Sequence, residues 1–340
     1  MKPIESKITS SHSINLNEVK QMLTWASNVP KPTRPNKPKF NNLKVEDVAK
    51  KEAYEVNDIF ELQEYINVIL HYSSAFDIFF RGQTGDYMVD NDVDNRSTIL
   101  PSIFRNIYFD KKPVEKFKGK VEKLIKAEER LIQVCYELNI HGESKIKSNQ
   151  YARWAVIQHY GIADTPVLDI TKSLRIASKF SVLNHDSASK PLDDLDFGYL
   201  YIFGLPQTKK SGKGSKAKYE GADDILNIDL KSLCPPTAHR PFFQDGYISY
   251  HHNIDKGILN LNQVVIDLDI AIKNEKKAEQ SIISEVFQPY NFNGRLLAKF
   301  KVPKTLFGDG VHPIPKTQIY PEGDLFEEYV VSEVKRRMNL

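Results

Sequence analysis

Cysteine is nearly missing from this chain, with Cys135 and Cys234 the only two among 340 residues. That excludes a scaffold built on disulfides, leaves room for one bridge at most, and fits a reducing, cytoplasmic setting. Long apolar runs are missing too. None reaches the ~18 residues that span a bilayer, and the opening MKPIESKITSSHS lacks the apolar core of a signal peptide. No membrane association is expected. Charge of one sign is not in excess either: 47 Lys and Arg against 44 Asp and Glu leave a net +3. Such a balance permits an anionic ligand without requiring nucleic acid. Several chemistries lack their signatures. There is no G-x-S-x-G nucleophile elbow, no Walker A loop, no G-x-G-x-x-G and no H-E-x-x-H. The adjacent His251 and His252 and the two distant cysteines do not have zinc spacing, so no metal is expected.

What is present is an ordinary globular composition, 41% hydrophobic and 27% charged. Residues 1–57 read as an appendage. Asn15 to Trp25 carries Leu16, Val19, Met22 and Leu23 on one helical face. After it Pro30, Pro32, Pro35 and Pro38 alternate with basic residues in extended, polyproline-like chain. This arm reads either as a contact for a protein partner or nucleic acid, or as a surface strap.

Residues 58–340 read as one domain. Asp58 to Tyr72 predicts a helix with Leu62, Tyr65, Ile66, Ile69 and Leu70 inward. Val114 to Leu138 predicts one long or two shorter helices, with Val121, Leu124, Ile125 and Leu131 inward. Asn149 to Tyr160 predicts another, stopped by Gly161. Strands are expected at Phe76 to Phe80, Thr165 to Ile170, Gly198 to Leu205, Val264 to Ile270 and Leu296 to Val302. Thr171 to Leu183 and Phe326 to Met338 read as helices, and Gln207 to Lys218 as a solvated loop. Strands and helices mix without a strict βαβ rhythm. The fold class is therefore α+β, a mixed or antiparallel sheet core with flanking helices.

The richest stretch runs from Phe76 to Arg105. A short aromatic run ends in Arg81-Gly82-Gln83, and a guanidinium beside large apolar side chains needs an anionic partner or ligand. Gly82 lets a backbone or ligand come close. Arg81 reads as a phosphate clamp or as half of a structural ion pair, with Asp169, Glu128 or Glu129 as its carboxylate. Arg105 holds phosphate or caps a loop. Gln158-His159 is a ligand-facing pair or a helix end favoured by the dipole. Arg240 and Gln244 bond buried backbone or a ligand.

The succession Phe80-Arg81-Gly82-Gln83, Leu100-Pro101-Ser102-Ile103-Phe104-Arg105, Gln158-His159-Tyr160-Gly161, Leu168-Asp169-Ile170-Thr171, Arg240 to Gly246 and Tyr320-Pro321-Glu322-Gly323-Asp324-Leu325 resembles the FRG domain family. The order of Arg81, Thr171 and the Gln244 segment is further similar to the three-part site of ADP-ribosyltransferases of the Arg-Ser-Glu type. That resemblance implies an ADP-ribosyltransferase-like core and NAD as substrate, in a toxin or phage-defence effector. It implies catalytic roles for Arg81, Thr171, Gln244 and Asp245. It implies binding roles for Arg81, Gly82, Gln83, Arg105, His159, Asp169, Ser173 and Arg240. The chain departs from the pattern at the third part, because no acid stands two residues after Gln244. Without that acid the same residues would bind a nucleotide, a phosphorylated small molecule or nucleic acid without turnover. A protein-interaction domain is the third reading.

Overall fold

The structure, a computed structural model, describes residues 48–49, 52–72, 76–87, 99–107, 110–182, 196–206, 209–211, 218–220, 225–251, 259–275, 277–307, 315, 317 and 319–340. The helix expected over Asn15 to Trp25, the proline-rich arm and His252 lie outside the described residues. Two compact units interleave along the chain. The first takes Met1–Ile99, Thr171–Leu226 and Phe292–Pro315; the second takes Leu100–Ile170, Asn227–Asn291 and Lys316–Leu340.

In the first unit β1 (Tyr54–Glu55), β2 (Phe76–Gln83), β4 (Phe197–Pro206) and β9 (Leu296–Pro303) lie in the order β1-β9-β4-β2. β1 runs parallel to β9, and β4 runs antiparallel to both β9 and β2. Helix α1 (Ile59–Tyr72) starts where the Asp58 carboxylate accepts from the amides of Phe60 and Glu61 at 2.9 and 2.8 Å. Its Leu62, Tyr65, Ile66 and Ile69 pack with Phe80, Leu200, Ile202, Ala298 and Phe300 in the unit's core. Leu70, expected inside, is 48% exposed. Helix α5 (Leu174–Ser181) covers the same face through Ala177. β5 (Lys209–Ser211) and β6 (Lys218–Glu220) pair antiparallel, so the ends of the expected loop are strands.

In the second unit α2 (Pro113–Glu137) is a single long helix. Phe117, Val121, Leu124, Ala127 and Leu131 are buried, whereas Ile125 is 41% exposed. Phe104 stacks on Tyr290 and Phe117 with centroids 4.6 and 5.7 Å away. α3 (Glu143–Ser148) leads to α4 (Gln150–His159), which Asn149 caps by accepting from the amides of Tyr151 and Ala152. Gly161, at φ +59°, turns the chain out of α4. β3 (Leu168–Thr171), β8 (Gly246–His251) and β7 (Ile225–Asp229) follow the order β3-β8-β7. The strand expected at Val264 to Ile270 is wrong: those residues lie in helix α8 (Leu261–Asn274), capped by Asn260. Leu261, Val264 and Leu268, each about one turn from the next, are its buried positions, while the alternating Ile266 and Ile270 are half exposed. α6 (Leu230–Leu233), α7 (His239–Phe243) and α9 (Glu279–Phe287) complete the middle of the unit. The C-terminal helix opens with a π-helical turn, Phe326–Val331, and continues as Ser332–Met338. The class is thus α+β with mixed strand pairing. Among the described residues no helix is long and apolar enough to cross a membrane.

Candidate functional site

Each unit carries one set of the expected residues. In the first, side-chain alternation along β2 sorts the Phe-Arg-Gly-Gln run onto two faces. Phe80 and Gly82 face the core helices. A Cβ on Gly82 would stand 1.8 Å from the Ala177 carbonyl oxygen and 2.5 Å from the Ser181 nitrogen. The close approach expected at Gly82 is therefore that of helix α5. Thr171 lies directly opposite Phe80, which puts it on this face also.

Arg81 and Gln83 point the other way, beside their β4 partners Tyr201 and Tyr199. Tyr201 in turn lies opposite Lys299 of β9. The Tyr201 hydroxyl donates to Asp86 Oδ1 at 2.8 Å, and Lys299 Nζ donates to Asp86 Oδ2 at 2.7 Å. This ion pair is shielded, with Lys299 and Asp86 side chains 2% and 8% exposed. Burial, with the neighbouring Asp86 charge, pushes the Tyr201 hydroxyl well above its ordinary pKa; Arg81 works against it. Gln83 is 7% exposed. Its amide oxygen is buried and has no hydrogen-bond partner among the described residues. A buried acceptor left without a donor costs about 1–3 kcal/mol.

Thr171 and Ser173 do different work. Thr171 Oγ1 accepts from the Ser173 amide at 3.1 Å, and Ser173 Oγ accepts from the Ile176 amide at 3.3 Å. Both hydroxyls organise the start of α5. Because Thr171 shares the Phe80 face, the register does not turn it toward the side that carries Arg81. The two-residue periodicity of the strand thus sets Arg81 and Thr171 on opposite faces of the sheet.

The second unit gathers residues from five separated segments around His159, the last residue of α4. Ser102 and Thr165 donate to the Gln158 amide oxygen. The Gln158 amide nitrogen donates to Asp169 Oδ2 at 2.9 Å. His159 Nδ1 lies 2.8 Å from Gln244 Oε1, and Gln244 Nε2 donates to the Ile319 carbonyl at 3.0 Å. That last bond fixes the amide orientation, so Nδ1 is the protonated nitrogen of the imidazole. His159 Nε2 faces Asp169 Oδ1 at 3.7 Å, with the two side chains 4% and 33% exposed. At that separation they do not share a hydrogen bond. Nε2 is buried and has no hydrogen-bond partner among the described residues. Burial lowers the His159 pKa and the Arg240 charge adds to this, while Asp169 and Gln244 oppose it. The imidazole is neutral at pH 7.

Arg240 lies between the rings of Tyr160 and Tyr320, each centroid 4.9 Å from the guanidinium carbon. It donates to the His159 carbonyl at 3.2 Å and pairs with Glu327. The Tyr160 hydroxyl donates to Asp324 Oδ2 at 2.7 Å. Of the two readings for Arg240 and Gln244, both residues thus make the buried-backbone contacts. Asp245 has a left-handed backbone, φ +43°, and its carboxylate is paired with Lys231. Arg105 Nε donates to the Leu100 carbonyl at 2.7 Å, a loop-closing bond. Glu128 accepts from Arg153 Nε at 3.0 Å and from the Trp154 indole, and Glu129 is exposed. Among the described residues no group of three potential metal ligands occurs.

Ser102, Thr165, Tyr160, Tyr320, Asp324 and Glu327 were not expected as site residues. All except Thr165 and Glu327 lie within the motifs quoted above; nothing local marks those two. A family model described as the FRG domain matches residues 77–190. No curated protein and no solved structure matches the chain.

Proposed function

The chain carries an FRG domain, and from that premise we propose that it binds a nucleotide of the NAD type through Arg81 and Gln83. The buried amide oxygen of Gln83, which has no donor among the described residues, carries this reading. Arg81, two residues earlier on the same face of β2, supplies a planar cation suited to a pyrophosphate. A nucleotide offers both complements in one molecule: anionic phosphates, and amino, amide or hydroxyl hydrogens for the glutamine. ADP-ribosyl transfer or NAD hydrolysis would need a carboxylate to stabilise an oxocarbenium-like transition state. Asp245, the acid that follows Gln244, is committed to Lys231, which favours binding without turnover.

The experiment is thermal denaturation of the full chain with NAD, ADP-ribose and inorganic pyrophosphate, alongside chromatography of released nicotinamide. NAD and ADP-ribose should raise the melting temperature by mass action. Arg81→Ala and Gln83→Leu should reduce that rise, and nicotinamide release should stay at background. No stabilisation by either dinucleotide would refute the binding reading. Fast release abolished by Asp245→Ala would refute the absence of turnover.

A further inference from the structure

Strands β2, β4, β9 and β1 of the first unit carry one row of side chains across a single face of the sheet. Gln83 of β2 stands directly opposite Tyr199 of β4, Tyr199 opposite Lys301 of β9, and Lys301 opposite Glu55 of β1. Exposure rises along the row. Gln83 is 7% exposed and Tyr199 half-buried, while the Lys301 and Glu55 side chains reach 30% and 54%. Lys301 is held by Glu55 at 3.3 Å and by the Phe197 ring, whose centroid lies 3.8 Å from Nζ. The Gln83 amide oxygen, at the buried end, has no hydrogen-bond partner among the described residues. Directly opposed side chains on neighbouring strands stand about 4.5–5.5 Å apart at Cβ. The open acceptor therefore lies beside an aromatic residue.

We propose that Gln83 and Tyr199 receive the adenine base of the nucleotide, the glutamine reading its edge and the tyrosine stacking on its face. The inference rests on the nucleotide reading for the presence of a base. An amide side chain matches adenine by two bonds at once: its oxygen accepts from the N6 amino group and its nitrogen donates to N7. An aromatic ring adds stacking that every base can use, so the selectivity comes from the glutamine. The alternatives fit less well. Phosphate oxygens are acceptors, as the glutamine oxygen is, and would leave it unsatisfied. A ribose hydroxyl would satisfy that oxygen and leave the tyrosine ring unused. The nicotinamide of NAD has an amide hydrogen to offer, but its ring is positively charged. Two cations flank this place: Lys301 opposite Tyr199, and Arg81 two residues before Gln83 on the same face. Adenine is neutral.

The test is titration calorimetry of the full chain with NAD, its hypoxanthine analogue, AMP and nicotinamide mononucleotide. In the analogue a carbonyl replaces the 6-amino group and sets an acceptor against the Gln83 oxygen. The wild type should therefore bind NAD about tenfold more tightly than the analogue. In Gln83→Leu that preference should vanish, a change that a merely structural role would not produce. Tyr199→Leu should weaken NAD and the analogue alike by about tenfold, and Tyr199→Phe should keep the wild-type affinity. The comparison of the two dinucleotides on the wild type holds whether or not a variant folds. Equal affinity for them overturns this inference and leaves nucleotide binding standing. So does a preference that survives Gln83→Leu, or binding of nicotinamide mononucleotide where AMP does not bind. Absence of binding by both dinucleotides removes the nucleotide reading, and this inference falls with it.

Discussion

Gln244 and His159 form a directional pair 85 residues apart: the Gln244 amide oxygen takes the Nδ1 proton at 2.8 Å. The amide nitrogen, donating to the Ile319 carbonyl, leaves the glutamine no freedom to flip. Gln244→Leu strands a buried N–H and a buried carbonyl. At about 1–3 kcal/mol for each unsatisfied group, a large loss of stability is expected. Chemical denaturation should show it, and ¹⁵N spectra should show the tautomer balance moving toward Nε2–H. Unchanged stability together with an unchanged tautomer would contradict the pairing.

Acid sensitivity follows from the same burial. The unfolded imidazole titrates near 6.5, and the folded one lower. Between those values the unfolded chain binds more protons, so stability increases with pH there. The contribution from neutral His159 is whole above about pH 6.5 and is lost as the pH falls through the folded value. Urea midpoints compared at pH 7.5 and 5.5 should differ more for the wild type than for His159→Gln. Equal differences would show that His159 is not the titrating group.

Gly82 is a packing residue. Gly82→Ala would place a methyl against two backbone atoms of α5, at 1.8 and 2.5 Å, and backbone cannot swing aside. Overpacking of this kind costs about 1–3 kcal/mol or more. The melting temperature should fall by several degrees even without ligand. An alanine variant of wild-type stability with lost nucleotide binding would instead make Gly82 a ligand contact.

The buried pair Lys299–Asp86 should show strong non-additivity. Asp86→Leu leaves an ammonium that is 2% exposed without its carboxylate and removes the acceptor of the Tyr201 hydroxyl. Breaking such a pair costs about 3–5 kcal/mol. Adding Lys299→Met should recover a large part of that loss. Additive losses in the double-mutant cycle would mean that the two charges act independently.

Much of this was legible in the sequence, and the failures have physical causes. Helices begin at Asp58 and Asn149 as expected, each capped there by the side chain, and Gly161 ends its helix. The 264–270 segment misled because Ile266, Leu268 and Ile270 alternate like a strand. The helical spacing of Val264 and Leu268 after a capping Asn260 was also there to be read. Gly82 announced a close approach without saying to what, since Ala177 lies 95 residues on in the chain. The ion pair of Glu128 with Arg153 joins two helices, and no local pattern encodes such a partner. Likewise the motifs carrying Ser102, Tyr160 and Asp324 were visible, but their meeting around His159 is a property of the fold. The opposite faces of Arg81 and Thr171 depended on strand register, which a single sequence leaves open.

Titration calorimetry of NAD into the wild type and Gln83→Leu tests the central claim most directly. Nucleotide binding through the Arg81 face predicts one-to-one binding by the wild type. It predicts affinity lowered about tenfold in Gln83→Leu, in line with one lost hydrogen bond, while the variant's fold stays intact. No detectable binding by the wild type, or equal affinity for both proteins, would contradict it.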